Sequence, residues 1–195
     1  MSNVSHHRSA ILFFTGLSGS GKSTLAEGLE TRLRAGGLLA TVVDGDKLRA
    51  GLCRDLGYSE ADRHENIRRA TELAIHLAEV GAVVIVALIA PFRADRHHAA
   101  ERARSRGIAF AEVFINSPLA VCERRDPKNL YKRARAGEIP SFTGIDSPYE
   151  SPVQPDLELR TDIESVEQSL AKLTAFALDL VRTATRDAGP PGAQG

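Results

Sequence analysis

The sequence predicts an α/β chain in which a parallel β-sheet carries helices on both faces. Three observations predict it. Apolar runs alternate with helical patterns along the chain, the order of parallel β-α units. One of those runs, Ala82 to Ile89, is continuously apolar and rich in β-branched residues, which suits a strand covered on both faces. Finally, Gly16-Leu17-Ser18-Gly19-Ser20-Gly21-Lys22-Ser23 completes a G-x-x-x-x-G-K-[ST] phosphate-binding loop between the first apolar run and the first helical pattern.

The elements follow in order. Ile11 to Thr15 reads as the first strand, and Leu25, Leu29 and Leu33 share one face of the helix after the loop. That helix ends near Gly36-Gly37, where glycine accepts a left-handed C-terminal conformation. Leu38 to Val43 is the second strand, with Asp44-Gly45-Asp46 at its carboxyl end. From Ser59 to Val80 the residues Ile67, Ala70, Ala74 and Leu77 keep helical spacing, and Gly81 stops the helix before the third strand. A helix from Ala94 to Arg106 leads to a strand from Phe110 to Ile115, followed by a charged segment from Pro118 to Gly137. Asp156 to Arg160 is the last short strand. Thr161 with Glu164 makes a capping box for a closing helix whose Val166, Leu170, Leu173 and Ala177 form a core stripe. Residues 1–9 and 185–195 are expected to be flexible, leaving one domain from 10 to 184.

Composition narrows the function. At 195 residues the chain supports one domain with a substantial core. Twenty-five basic and twenty-five acidic side chains cancel, so bulk attraction to nucleic acid or an anionic membrane is not expected, and a small substrate is. Cys53 and Cys122 alone exclude a disulfide framework and a four-cysteine zinc site. The most apolar stretch is about half a membrane span, and Met1 to Ala10 lacks a signal-peptide core. A cytoplasmic location follows as the default.

The phosphate loop calls for a nucleoside triphosphate. Its glycines let successive N–H groups turn toward the phosphates, Lys22 supplies a point charge to the β/γ oxygens, and the Ser23 hydroxyl can ligate Mg²⁺. Because ligands gather at the carboxyl ends of parallel strands, the loops after the other strands are the places to look for an acceptor. After the second strand, one carboxylate of Asp44 and Asp46 can hold Mg²⁺ through water while the other takes a proton from an attacking hydroxyl; an Asp-Gly turn with a helix cap is the plainer alternative. Arg124, Arg125, Lys128, Lys132, Arg133 and Arg135 are opposed only by Glu123 and Asp126. They form either a solvated helical face or a lid over polyphosphate. Phe142, in a turn-rich, exposed stretch, and Tyr58 are two rings able to sandwich a base.

Together with the loop from Gly16 to Thr24, the strings Asp44-Gly45-Asp46, Gly51 to Ser59, Asp62 to Arg69, Arg125-Asp126-Pro127-Lys128, Leu130-Tyr131 and Phe142 to Asp146 closely resemble adenylylsulfate kinase, from about Ile11 to Leu180. The resemblance implies a P-loop kinase fold with a helical lid at about 118–137. It implies transfer of the γ-phosphate of ATP, with Mg²⁺, to the 3′-hydroxyl of adenosine 5′-phosphosulfate (APS), giving 3′-phosphoadenosine 5′-phosphosulfate (PAPS) in sulfate assimilation. A homodimer is implied too, and a sulfurylase is a candidate partner. Carried over by motif, Asp46 would be the catalytic base beside Lys22. Residues Gly16, Leu17, Ser18, Gly19, Ser20, Gly21, Lys22, Ser23, Thr24 and Arg125 would bind ATP. Arg49, Arg63 and Asn66 would hold the phosphosulfate and ribose, Tyr58 and Phe142 the adenine. Ile89, Ala90, Lys128 and Leu130 would complete the acceptor site, with Ser23 and Asp44 at the metal.

Three residues depart from the pattern. Ala90 stands where many members carry a serine, in some annotations a phosphoserine, so a covalent route through that side chain is closed and direct transfer is left. Lys47 replaces an asparagine and Asn129 a glycine of the lid, changes that either tune affinity or mark a different acceptor. Two other readings compete: a related kinase acting on another nucleotide-like acceptor, and a nucleotide-binding regulator. A GTP-dependent switch is excluded by the lack of an Asn-Lys-x-Asp string.

Overall fold

The computed structural model describes residues 9–187. Five strands, β1 (Ala10–Thr15), β2 (Ala40–Asp44), β3 (Val83–Ala87), β4 (Ala109–Asn116) and β5 (Leu157–Arg160), form one sheet in the order β2-β3-β1-β4-β5. Every pairing is parallel. Seven helices connect them: α1 (Lys22–Ala35), α2 (Gly45–Ala50), α3 (Glu60–Glu79), α4 (Arg93–Arg104), α5 (Leu119–Arg125), α6 (Leu130–Arg135) and α7 (Val166–Asp187).

The alternation of β1 explains the layers. Ile11 and Phe13 point into a cluster with Ile67, Ala70, Ala74 and Ala99, under α3 and α4. Ala10, Leu12 and Phe14 point the other way, against Leu25, Leu29 and Leu33 of α1 and Leu170, Leu173 and Ala177 of α7. Burial on both faces is what makes the central strands uniformly apolar rather than alternating. Gly28 lets α1 and α7 approach, since a Cβ there would lie 2.7 Å from Leu170 Cδ1.

Some expected boundaries change, and the reasons are local. The closing helix is capped by Ser165, not Thr161: the Gln168 amide oxygen accepts from Ser165 N–H at 2.9 Å while Gln168 N–H donates to Ser165 Oγ at 3.2 Å, a reciprocal capping box one turn later. Val166, read as core, is 53% exposed because it occupies the first turn of α7, ahead of the sheet. α7 also runs to Asp187, past the expected end at 184; the rest of the expected flexible tail, and residues 1–8, lie outside the described residues. Among the described residues no helix is long and apolar enough to cross a membrane.

Candidate active site

At the end of β1 the chain enters the phosphate loop and turns directly into α1, with Gly21 at the helix N-cap at φ 103°. The unpaired N–H groups of that helix start face outward, where an anion is stabilised. Gly19, at φ +75°, carries no Cβ for a structural reason: one would lie 3.0 Å from the Cys122 carbonyl, so α5 packs against the loop. Lys22 Nζ donates to the Gly16 and Leu17 carbonyls at 2.9 and 2.7 Å, folded across its own loop. It is a half-buried cation rather than an exposed one. Burial pushes its pKa down to about 8.

The Asp-Gly-Asp turn performs two tasks at once. Asp44 Oδ1 accepts from the Asp46 and Lys47 N–H groups and caps α2, while Asp44 Oδ2 accepts from Ser23 Oγ at 3.2 Å. A hydroxyl and a carboxylate in contact are hard oxygen donors of the kind Mg²⁺ takes when phosphate oxygens and water complete its shell. Among the described residues no cluster of three or more His, Cys, Asp or Glu side chains suits a metal ion.

One cavity of about 900 Å³ joins this loop to the acceptor candidates. Its wall includes the loop from Ser18 to Thr24, then Asp46, Arg49, Tyr58, Arg63, Asn66 and Phe142, with Ile89 and Ala90 at its floor and Arg125, Lys128 and Leu130 from the lid. Gly16, Leu17 and Asp44 do not line it; the first two bind Lys22 through their carbonyls and the third underlies Ser23. Asn66, 5% exposed, leaves its Oδ1 buried without a partner. An orphaned acceptor in a cavity wall is a ligand contact waiting for a donor.

Several side chains are already engaged. Arg63, 8% exposed, donates to the Tyr58 carbonyl at 2.9 Å, to Thr143 Oγ1 at 2.5 Å and to the Ser141 carbonyl at 2.5 Å. Three of its five N–H groups therefore tie the start of α3 to the 141–143 segment, and two remain for an anion. Burial also pushes its pKa below the ordinary value. Arg49 donates to the Gly57 carbonyl at 2.7 Å and lies 4.3 Å from the centroid of the Tyr58 ring. Lys128, from the lid, forms an ion pair with Asp46 Oδ2. Arg125 reaches the Gly19 and Thr161 carbonyls, at 3.4 and 2.5 Å, beside the loop.

One expectation needs correction, and several placements gain detail. Phe142 is not exposed: the Asp146 carboxylate accepts from Ser141 and Phe142 N–H and draws the turn inward, and the ring packs edge-on against Tyr131 with centroids 5.1 Å apart. Tyr58 is the exposed partner, at 57%, so the two rings offer unlike walls. Ile89 and Ala90 line the cavity with their carbonyls engaged: Thr15 Oγ1 donates to both, and Arg96 donates to Ala90 O. Three of the lid cations are paired, Lys128 with Asp46, Arg133 with Glu138 and Arg135 with Glu123. Asn129 also gains a reason. It sits at φ 53° before α6, a left-handed position that asparagine tolerates best after glycine.

Sequence reasoning missed Thr161, Ser169 and Thr143, which line the same cavity. Thr161 was assigned to a helix cap, but its Oγ1 donates to the Ser20 carbonyl at 2.7 Å. No motif marked it; only the adjacency of β5 to β4 brings it to the loop.

A parallel sheet with a phosphate loop after its central strand, closed by a short helical lid over a second polar site, defines a P-loop kinase fold. A family profile described as adenylylsulphate kinase matches residues 8–160. An adenylyl-sulfate kinase of Yersinia pestis is 52% identical over 176 residues, covering 90% of this chain and 79% of the relative. The structure of the Mycobacterium tuberculosis APS kinase CysC in complex with AMPPNP and APS superposes with a TM-score of 0.85 at 48% identity, over 90% of this chain and 99% of that one. A hexameric APS kinase from Thiobacillus denitrificans superposes at 0.66 and 28% identity, over 88% of this chain and 29% of that one. The chain belongs to the adenylylsulphate kinase family.

Proposed function

We propose that this chain transfers the γ-phosphoryl group of ATP to the 3′-hydroxyl of APS, giving PAPS and ADP. The observation that carries the reading is the single cavity in which the phosphate loop meets the orphaned Asn66 amide, Arg63 and Asp46. The named activities of the similar proteins support it.

In this reading the loop N–H groups and Lys22 hold the β and γ phosphates, and the triphosphate restores the charge that burial weakens on Lys22. Ser23 and Asp44 would hold Mg²⁺, which neutralises charge building on the phosphoryl oxygens when bound. Arg63, Asn66 and Arg49 orient the phosphosulfate and ribose of the acceptor. Phe142 and Tyr58 bound its adenine, one as a packed wall and one as an outer flap. Asp46 takes the proton as the 3′-oxygen bonds to phosphorus and the bridging bond to ADP breaks. Lys128 occupies Asp46 Oδ2, so Oδ1 is the atom open to that proton. Ala90 offers no hydroxyl, and the transfer is direct. A cytoplasmic homodimer, with a sulfurylase among its partners, completes the reading; two buried unpaired cysteines suit a reducing compartment, and the hexameric relative supports self-association.

The test is product identity. Purified protein with ATP, Mg²⁺ and APS is expected to yield ADP and PAPS in equal amounts by chromatography and mass spectrometry. ADP without PAPS overturns the acceptor assignment.

A further inference from the structure

Arg96 lies outside every motif discussed so far, yet it is among the most buried charged residues of the chain, at 3% exposure. It stands one turn into α4 and makes three contacts to three separate segments. Nε donates to Glu112 Oε1 on β4 at 2.5 Å, one terminal nitrogen to the Ala90 carbonyl at 2.7 Å, and the other to the Glu150 carbonyl at 2.7 Å. The Glu112 carboxylate that anchors it is itself mostly buried, so the pair is desolvated and strong in its local field.

The conformation of Ala90 shows what these contacts hold. Its φ is +43°, a left-handed backbone that an alanine disfavours and that persists only where the surroundings impose it. The surroundings here are Arg96 and Thr15, which both donate to the Ala90 carbonyl, at 2.7 and 3.2 Å. With its carbonyl held in this way, Ala90 lines the cavity beside Ile89, Pro91 and Asn66. Glu150, bound through its carbonyl, also receives Arg93 N–H on its side chain and donates its own N–H to the Pro91 carbonyl, so the same segment is stitched from both sides.

We infer that Arg96 is a positioning residue for the acceptor: with Glu112 as its anchor, it imposes the left-handed backbone of Ala90 that presents the 89–90 main chain to the phosphosulfate nucleotide. The inference rests on the APS kinase reading of the cavity. It concerns the acceptor end first, because Arg96 hydrogen-bonds Ala90, Glu112 and Glu150, and the segment meets the phosphate loop only through the longer Gly16 N–H bond to the Ile89 carbonyl, at 3.3 Å.

Steady-state kinetics test it. Arg96→Lys keeps the charge opposite Glu112 but cannot reach three acceptors at once. It is expected to raise KM for APS about tenfold and to leave KM for ATP within about twofold, since misplacement of one contact wall affects only the ligand it orients. Adding Ala90→Gly, a residue indifferent to the sign of φ, is expected to recover at least half of that loss, because the backbone then needs no clamp. Glu112→Gln retains an acceptor for Nε and is expected to move KM for APS the same way by about threefold, which keeps the test informative if Arg96→Lys folds poorly. Equal changes in both KM values, unchanged KM for APS in a folded variant, or no recovery with Ala90→Gly would each overturn the inference. Wild-type protein that makes no PAPS would overturn the kinase reading instead, and the two failures are thereby separated.

Discussion

The two ends of the cavity are built in opposite ways. At the phosphate end, the groups offered to the ligand come from eight consecutive residues: the loop bonds to itself through Lys22 and Ser23 reaches Asp44 on β2, while Arg125, Tyr131 and Thr161 brace the loop's carbonyls from outside. At the acceptor end, α2, α3, the β3-α4 turn, the lid and the 141–143 segment each contribute one or two groups, and Arg63 and Arg96 are consumed in part by joining them. A local site is robust to change elsewhere and a composite site is not. Substitutions at the first end should therefore abolish chemistry, whereas those at the second should change which acceptor is held and how well.

Lys22→Ala should show the largest effect, loss of turnover below detection with an unchanged circular dichroism spectrum, because a half-buried cation that stabilises the transferring group contributes little to packing. A soluble, folded Lys22→Ala that keeps normal activity would dissolve the comparison at its stronger end. Asp46→Asn follows, with kcat lower by about a hundredfold and ATP binding retained in a nucleotide titration, since size is kept and basicity removed. If its rate barely moves, Asp46 serves only α2 and the lid ion pair.

At the composite end the effects are smaller and selective. Phe142→Ala should weaken the acceptor by about 1–3 kcal/mol in KM-derived terms while ATP affinity stays put, the cost of losing one stacking wall. Equal weakening of both substrates would mean that the lid core, not the base wall, was lost.

Proton linkage gives a still subtler contrast. With its pKa lowered to about 8, free Lys22 is mostly neutral at pH 8.5 and is charged against a triphosphate, so nucleotide binding at pH 8.5 should take up about three quarters of a proton and at pH 6.5 almost none, read by calorimetry in buffers of different ionisation enthalpy. Lys22→Met should abolish the uptake. His64, on the acceptor helix, titrates the other way. Its Nδ1 bond to Asp95 raises its pKa above 6.5, so the stability it lends is full below pH 6.5 and lost as pH rises through the raised value. The urea midpoint of wild type should fall over that window, and His64→Gln should flatten the fall.

This contrast also explains what could be read from sequence. The phosphate loop, the alternation of strands and helices that implies a parallel sheet, and the Asp44-Gly45-Asp46 turn follow from contiguous residues whose spacing is set by local geometry. Arg96 and Thr161 could not be read in that way, because Arg96 depends on Glu112 of β4 and the Glu150 carbonyl, and Thr161 on the Ser20 carbonyl, partners that only the folded sheet brings near. Phe142 was misjudged for a related reason. A turn rich in Gly, Thr and Asp reads as exposed, and nothing local tells that Asp146 folds it onto Tyr131. The capping box moved from Thr161 to Ser165 because both sites satisfy the same local rule and a tertiary contact to Ser20 claimed the first.

Acceptor discrimination by the wild-type protein tests the central claim most directly: that one end of the cavity takes ATP by a local motif and the other is assembled around a phosphosulfate nucleotide. With ATP and Mg²⁺ held saturating, kcat/KM for APS should exceed that for AMP, which has the same base and ribose without the sulfate, by at least about a hundredfold, the scale that one or two charge-assisted contacts supply. Equal use of APS and AMP, or phosphorylation of neither, would contradict it.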